Sequence, residues 1–129
     1  MKQARLSRLG QLQDALLRDA RFVNSIKLHT GEGEPAGKWT IEQSVDFFVN
    51  EGYQSRAAGL VETKRGTGDP TYLYYTLGKL EIMKLREEMK KKQGAAFSLQ
   101  QFHDEFMRQG LAPIKVIRKA MLGNDSPVL

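Results

Sequence analysis

The sequence predicts an all-α fold, an irregular array of five to six helices around a long central helix at about residues 70–92. Three observations carry this. Apolar residues recur at three- and four-residue steps along most of the chain. Glycine and proline cluster between those periodic stretches, where they end helices. No run alternates apolar and polar residues as a half-buried strand does. The 129 residues suit one helical domain spanning 1–129, with 124–129 read as a loose tail.

Each element has its own signal. Over 2–28, Leu9, Leu12, Leu16, Val23 and Ile26 recur at helical spacing, with Leu6 one turn earlier. The stripe reads as one long bundle helix, too short in heptads for a coiled coil of its own. The loop 29–38 carries three glycines and a proline and stops it. Thr40 and Gln43 form a capping box for a helix with Ile41, Val45, Phe48 and Val49 on one face. Glu51-Gly52 ends that helix, glycine being suited to a left-handed turn.

A third helix, about 54–64, carries Ala57, Ala58, Leu60 and Val61, and Arg65-Gly-Thr-Gly-Asp69 breaks it. Asp69-Pro70 then opens the helix at about 70–92, since Asp accepts from free amides and Pro suits a first turn. Its apolar residues form more than one stripe, so its first half is expected to be buried on several sides. Gly78 inside it calls for a compensating close approach by a backbone or ligand. Gly94 ends it. Ser98 and Gln101 form a second capping box, with Phe97 against Phe102 as a hydrophobic staple. That helix is expected to bury Phe102, Phe106 and Met107 and to end at Gly110. The last runs from Pro113 through Ile114, Val116, Ile117 and Met121 to Gly123.

Composition narrows the function. Forty per cent of residues are hydrophobic and 27% charged, which is enough apolar content for a core. There is no cysteine, so disulfides and thiolate zinc sites are excluded and the compartment stays open. No stretch approaches a membrane span, and the basic N-terminus has no apolar segment behind it, so no signal peptide is read. The net charge of +5 only slightly favours an anionic partner. The basic run at Lys84, Arg86, Lys90, Lys91 and Lys92 is interrupted by Glu87 and Glu88, and fits a solvated helix C-terminus.

Few motifs carry chemistry. Gly33-Glu-Pro-Ala-Gly37-Lys38-Trp39 has neither the spacing nor the following Ser or Thr of a phosphate loop. The two histidines, His29 and His103, show no paired-ligand spacing, so no metal site of this chain's own is expected. His103 beside Asp104 suits a structural hydrogen bond. His29, where a helix meets a glycine-rich loop, suits either a cleft or plain surface. No serine lies in a nucleophile elbow. The strongest candidate is Arg65-Gly-Thr-Gly-Asp-Pro-Thr-Tyr72-Leu-Tyr74-Tyr75. Tyr72 and Tyr75 are expected to share a face and donate to a developing oxyanion, and Arg65 to pair a carboxylate. Spacing alone favours the plainer reading, in which the rings are core and the hydroxyls have ordinary partners.

Several ordered blocks then carry a resemblance: Gly37-Lys-Trp-Thr-Ile-Glu-Gln-Ser-Val-Asp-Phe-Phe48, Arg65 to Leu80 with Leu85-Arg-Glu87, Phe97-Ser-Leu-Gln-Gln-Phe-His-Asp104 and Gly110-Leu-Ala-Pro113. From about residue 5 to 123 the chain resembles the C-terminal end of the bacterial family called domain of unknown function 885. Members of that family are long helical proteins similar to zincin metallopeptidases, with an HExxH-type metal helix upstream of the part matched. The resemblance implies a C-terminal helical domain of a zinc-dependent peptidase-like protein, giving structural support and one wall of a substrate cleft. The zinc and the missing N-terminal catalytic portion belong to the parent, and this chain needs no cofactor of its own and is not catalytic alone. By analogy with helical gluzincins, Tyr75 is the first cleft-wall candidate, His29 the second and Arg65 the third.

A piece cut from such a parent would bare apolar surface and could associate with itself through it. The alternative function is a stand-alone helical interaction module binding nucleic acid through Lys84, Lys90, Lys91, Lys92, Arg108, Lys115, Arg118 and Lys119. Interspersed acids and the lack of a recognised nucleic-acid motif weigh against that.

Overall fold

The computed structural model describes residues 2–127, so the last two residues of the tail read from sequence lie outside them. The described residues are all helical, without a strand. The elements are α1 (Lys2–His29), α2 (Ile41–Asn50), α3 (Arg56–Gly68), α4 (Tyr74–Gln93), a 3-10 turn (Gly94–Ala96), α5 (Leu99–Arg108) and α6 (Ile114–Leu122). Two compact units divide the chain between Leu77 and Gly78, inside α4.

The first unit packs α1, α2 and α3 closely through small residues. Gly59 of α3 lies against α2: a β-carbon there would sit 3.2 Å from Phe48 Cβ and 3.3 Å from the Val45 carbonyl oxygen. The buried face of α3 is Gly59, Thr63 and Gly66, while Leu60 and Val61, read from sequence as its apolar residues, are exposed. Glycine and threonine win this face because they let backbones approach to distances that leucine forbids. The core between the helices is correspondingly mixed. Ala20, Val45, Phe48 and Tyr72 share it with Asn24, Ser25, Ser44 and Thr63. Ser44 Oγ donates to Asn24 Oδ1 at 2.6 Å and lies 2.7 Å from Thr63 Oγ1. Ser44 has a single proton, so Thr63 donates in the second bond.

The α1 stripe does not behave as a buried seam along its length. Ala20, Asn24 and Ser25 are its buried residues, Val23 and Ile26 are half-buried, and Leu6, Leu9 and Leu12 remain 51–55% exposed. The capping box of α2 is complete: Thr40 Oγ1 accepts from Gln43 N–H, and Gln43 Oε1 accepts from Thr40 N–H at 2.9 Å. After α2 the left-handed residue is Tyr53, with φ 52°, not Gly52. Glycine is required at 52 for a different reason. A β-carbon there would lie 2.7 Å from the Phe48 carbonyl oxygen and 3.4 Å from Ala20 Cβ.

The break expected at Arg65-Gly-Thr-Gly is absent, and α3 runs on to Gly68. Helix α4 begins at Tyr74 instead of Pro70, because Asp69 closes a local turn. Asp69 Oδ1 accepts from Thr71 N–H at 3.0 Å and Thr71 Oγ1–H at 2.6 Å. The side chain thus competes with helical bonding over those residues.

The second unit has an ordinary apolar core. Leu85 and Met89 of α4, Phe102 of α5, and Ile117, Met121 and Leu122 of α6 form it, with Ile82, Phe97, Phe106 and Ala112 packed against it. Burial in α4 is therefore confined to its second half, Leu85 and Met89; Tyr74, Tyr75 and Leu80 are exposed, against the sequence expectation. Nor does Gly78 meet a close backbone: a β-carbon would find only Ile114 Cδ1, at 3.9 Å.

Only half of the second capping box forms, Ser98 Oγ accepting from Gln101 N–H. The staple beside it is present, with Phe97 and Phe102 centroids 6.4 Å apart. Met107 is exposed. His103 meets the Phe102 ring edge-on and makes no hydrogen bond to Asp104. Gly123 takes the left-handed conformation at the end of α6. Beyond it, Ser126 accepts from buried Arg118 through its carbonyl oxygen at 3.3 Å and its Oγ at 2.6 Å.

Candidate functional site

The densest polar constellation lies in the first unit, where the C-terminal half of α1 meets α3 and the Asp69–Leu73 turn. Arg21, Ser25 and His29 are spaced by four on α1, so they project on one side of it. Arg21 grips Glu62 of α3 in a two-pronged ion pair. Its Nε donates to Oε2 and its Nη2 to Oε1, each at 2.7 Å. The Tyr72 hydroxyl donates to the same Oε2 at 2.5 Å. Ser25 Oγ donates to the Pro70 carbonyl oxygen at 3.2 Å, fixing the turn that carries Tyr72.

Electrostatics follow from this geometry. The Arg21 guanidinium, with help from the Tyr72 hydroxyl and Arg65, holds the Glu62 carboxyl below the usual carboxylate range against the opposing effect of burial. The Tyr72 phenol is pushed up to about 12, by burial first and then by its bond to the Glu62 carboxylate. Its ring lies 4.9 Å from the Arg21 guanidinium carbon and 5.4 Å from that of Arg65, both within cation–π range. Gly66 brings the α3 backbone against this ring. A β-carbon there would be 3.5 Å from Tyr72 Cδ1.

The four residues singled out by sequence are thus placed as follows. His29 Nε2 lies 3.0 Å from the Gly66 carbonyl oxygen, a bond in which the ring N–H donates. Arg65 is exposed and stacks on Tyr72, so His29, Arg65 and Tyr72 gather around Gly66. Tyr72 is fully buried, and its hydroxyl is committed to Glu62. Tyr75 does not share its environment. It is 42% exposed, lies against Tyr74 with centroids 4.3 Å apart, and sits beneath Arg18 at 5.4 Å. Burial separates the two tyrosines because Tyr72 sits in the Asp69-closed turn, before the helix that would have put both on one stripe.

Arg21 and Glu62 are the residues that sequence reading missed. They are 41 positions apart, and neither belongs to a motif. One signal was available. The small residues Gly59, Thr63 and Gly66 mark the packed face of α3, and Glu62 adjoins that face.

Among the described residues, no three His, Cys, Asp or Glu side chains are grouped to hold a metal. Many of the basic residues weighed for nucleic acid are engaged elsewhere. Arg118 is buried and paired with Glu88, Lys119 pairs with Asp125, Arg108 with Glu105, and Lys92 donates to the Leu122 carbonyl oxygen. No helix among the described residues is long and apolar enough to cross a membrane.

No curated protein and no solved structure matches the chain. The family model described as "Bacterial protein of unknown function (DUF885)" matches residues 1–121. The chain therefore belongs to the DUF885 family.

Proposed function

We propose that the chain is the C-terminal helical part of a zinc-dependent peptidase-like protein, giving structural support and one wall of a substrate cleft. On this reading it does not act alone. Any metal and the residues that hold it belong to an HExxH-bearing portion, which is its partner. The assignment to such a parent rests on what the resemblance to that family implies, the family model itself being described as of unknown function. The observation that carries the wall role is the contrast between the two tyrosines. Tyr72 donates its hydroxyl hydrogen bond to the Glu62 carboxylate and anchors the turn, whereas Tyr75, three residues on, stays at the surface beside Arg18. Tyr75 is then the exposed phenol that would donate to a developing oxyanion, while Arg65 and His29 would contribute a separate stretch of the wall at Gly66. The exposed Leu6, Leu9 and Leu12 are where the parent, or a second copy of the chain, would cover α1.

The test is reconstitution. The pure chain should hydrolyse no peptide, with or without zinc. Mixed with an HExxH-bearing segment from the same or a neighbouring reading frame, it should form a peptidase. In that complex Tyr75→Phe should lower kcat by about 10²–10³ with little change in KM. Zinc-dependent turnover by the chain alone, or an unchanged kcat in the variant, overturns the reading.

A further inference from the structure

A concave surface site lies on α2, on a face turned away from the core residues Ser44, Val45 and Phe48. Trp39, Gln43, Asp46, Phe47, Asn50 and Glu51 line a surface cavity of about 310 Å³. This volume is at the lower end of the roughly 300–1,000 Å³ typical of small-ligand sites. Two of its walls are aromatic. The Trp39 and Phe47 rings have centroids 5.1 Å apart and are tilted by 55°, so they form a corner, not a parallel stack.

The corner is built in advance. Trp39 N–H donates to the Lys27 carbonyl oxygen at 3.0 Å, tying the residue back to α1. The loop before it is pinched shut: a β-carbon on Gly31 would lie 2.6 Å from the backbone of both Gly37 and Lys38. Phe47 is one turn past the capping box that fixes the start of α2. The backbones that carry both rings are thus fixed before any ligand arrives.

The charge on the cavity has one sign. Its ionisable lining residues are Asp46 and Glu51, and no base lines it. Asp46 shares its charge with Arg56 at 2.8 Å. Glu51 makes no ion pair or side-chain hydrogen bond among the described residues. Aromatic faces carry partial negative charge and attract cations, most effectively those that shed water readily. A neutral apolar guest would leave Glu51 unanswered.

We propose that this cavity binds a quaternary or methylated ammonium group, with Trp39 and Phe47 as its π walls and Glu51 and Asp46 as counter-charge. The group could be borne by a free small molecule or by a methylated lysine, and the test separates the two. It is independent of the peptidase reading, which uses none of these residues.

Trp39 is the single tryptophan, so its fluorescence reports on this site alone. The full chain is titrated at constant ionic strength with choline, with a peptide carrying trimethyllysine, and with the neutral carbon isostere of choline. Choline should change Trp39 emission saturably, with the isostere bound at least about fivefold more weakly. Glu51→Gln, at an exposed position, and Phe47→Leu should each weaken choline about threefold. A peptide that binds more tightly than choline assigns the site to a protein-borne group; equal or weaker binding assigns it to a free one. The proposal is overturned if neither cation gives a saturable change, if the isostere matches choline, or if Glu51→Gln leaves binding unaltered.

Discussion

Replacing Glu62 with Gln keeps the size of the side chain and removes its charge, which isolates what the knot at Arg21, Glu62 and Tyr72 contributes. Three donors converge on this carboxylate, two from Arg21 and one from Tyr72. The Arg21 and Glu62 side chains are only 12% and 15% exposed. Exposed pairs contribute about 0–1 kcal/mol, whereas removing one partner of a fully buried pair costs about 3–5 kcal/mol. This pair is nearer the buried limit. A glutamine also offers only one acceptor oxygen: with that oxygen at the Oε2 position, the Arg21 Nη2 donor now on Oε1 faces an NH2 group and loses its partner. The expected loss is about 2–4 kcal/mol. For a unit of this size that corresponds to a fall in Tm of roughly 10–25 °C.

The assay is urea unfolding followed by Trp39 emission, since Trp39 belongs to the same unit as Glu62. With a slope of about 2 kcal/mol/M, the midpoint should fall by about 1–2 M. The pH dependence supplies a second check. The Glu62 carboxyl titrates below its unfolded value, so its contribution is present above that value, about 4.3, and is lost as pH falls through the lowered folded value. The gap between wild type and Glu62→Gln should therefore close in acid. A loss below about 1 kcal/mol at neutral pH, or a gap indifferent to acid, refutes the account of the knot as a mostly buried charged pair.

Three other outcomes are expected. One phenol should deprotonate only as pH approaches about 12, and Tyr72→Phe should abolish that phase of the phenolate absorbance; its stabilising effect is present below the unfolded value near 10 and is lost as pH rises through the folded one. Gly52→Ala should destabilise the first unit by about 1–3 kcal/mol, because its methyl meets a backbone carbonyl oxygen, whereas Tyr53→Gly, at an 81% exposed left-handed position, should be neutral or stabilising by about 1 kcal/mol; chemical denaturation of both variants checks the pair. Arg118→Ala should cost about 1–3 kcal/mol in the second unit by leaving the part-exposed Glu88 without its partner and releasing Ser126, which circular dichroism melts would reveal as a lowered transition.

How much was legible beforehand depends on the range of the interaction. The capping box at Thr40 and Gln43, the staple at Phe97 and Phe102 and the left-handed glycines at 94, 110 and 123 are bonds and dihedrals within a few residues of one another. The sequence by itself therefore determined the all-helical class, most helix ends and the central residues of the apolar faces of α5 and α6, Phe102, Ile117 and Met121, though Met107 and Val116, read with them, are exposed. It also pointed to the Arg65–Tyr75 stretch and carried the ordered blocks of the DUF885 family.

Only the tertiary structure decided which faces are covered. The Leu6-Leu9-Leu12 stripe has the periodicity of a buried seam, yet it is exposed, because periodicity describes a helix and not its neighbours. The converse holds at Asn24, Ser44 and Thr63, whose polarity reads as surface but whose small size lets α1, α2 and α3 pack tightly around mutual hydrogen bonds. Tyr72 and Tyr75, equivalent on a helical wheel, were parted by an Asp69 turn. Arg21 and Glu62 became the centre of the site only when two helices met. Local chemistry fixes where helices start and stop, whereas burial is a property of the contact between elements distant in the chain.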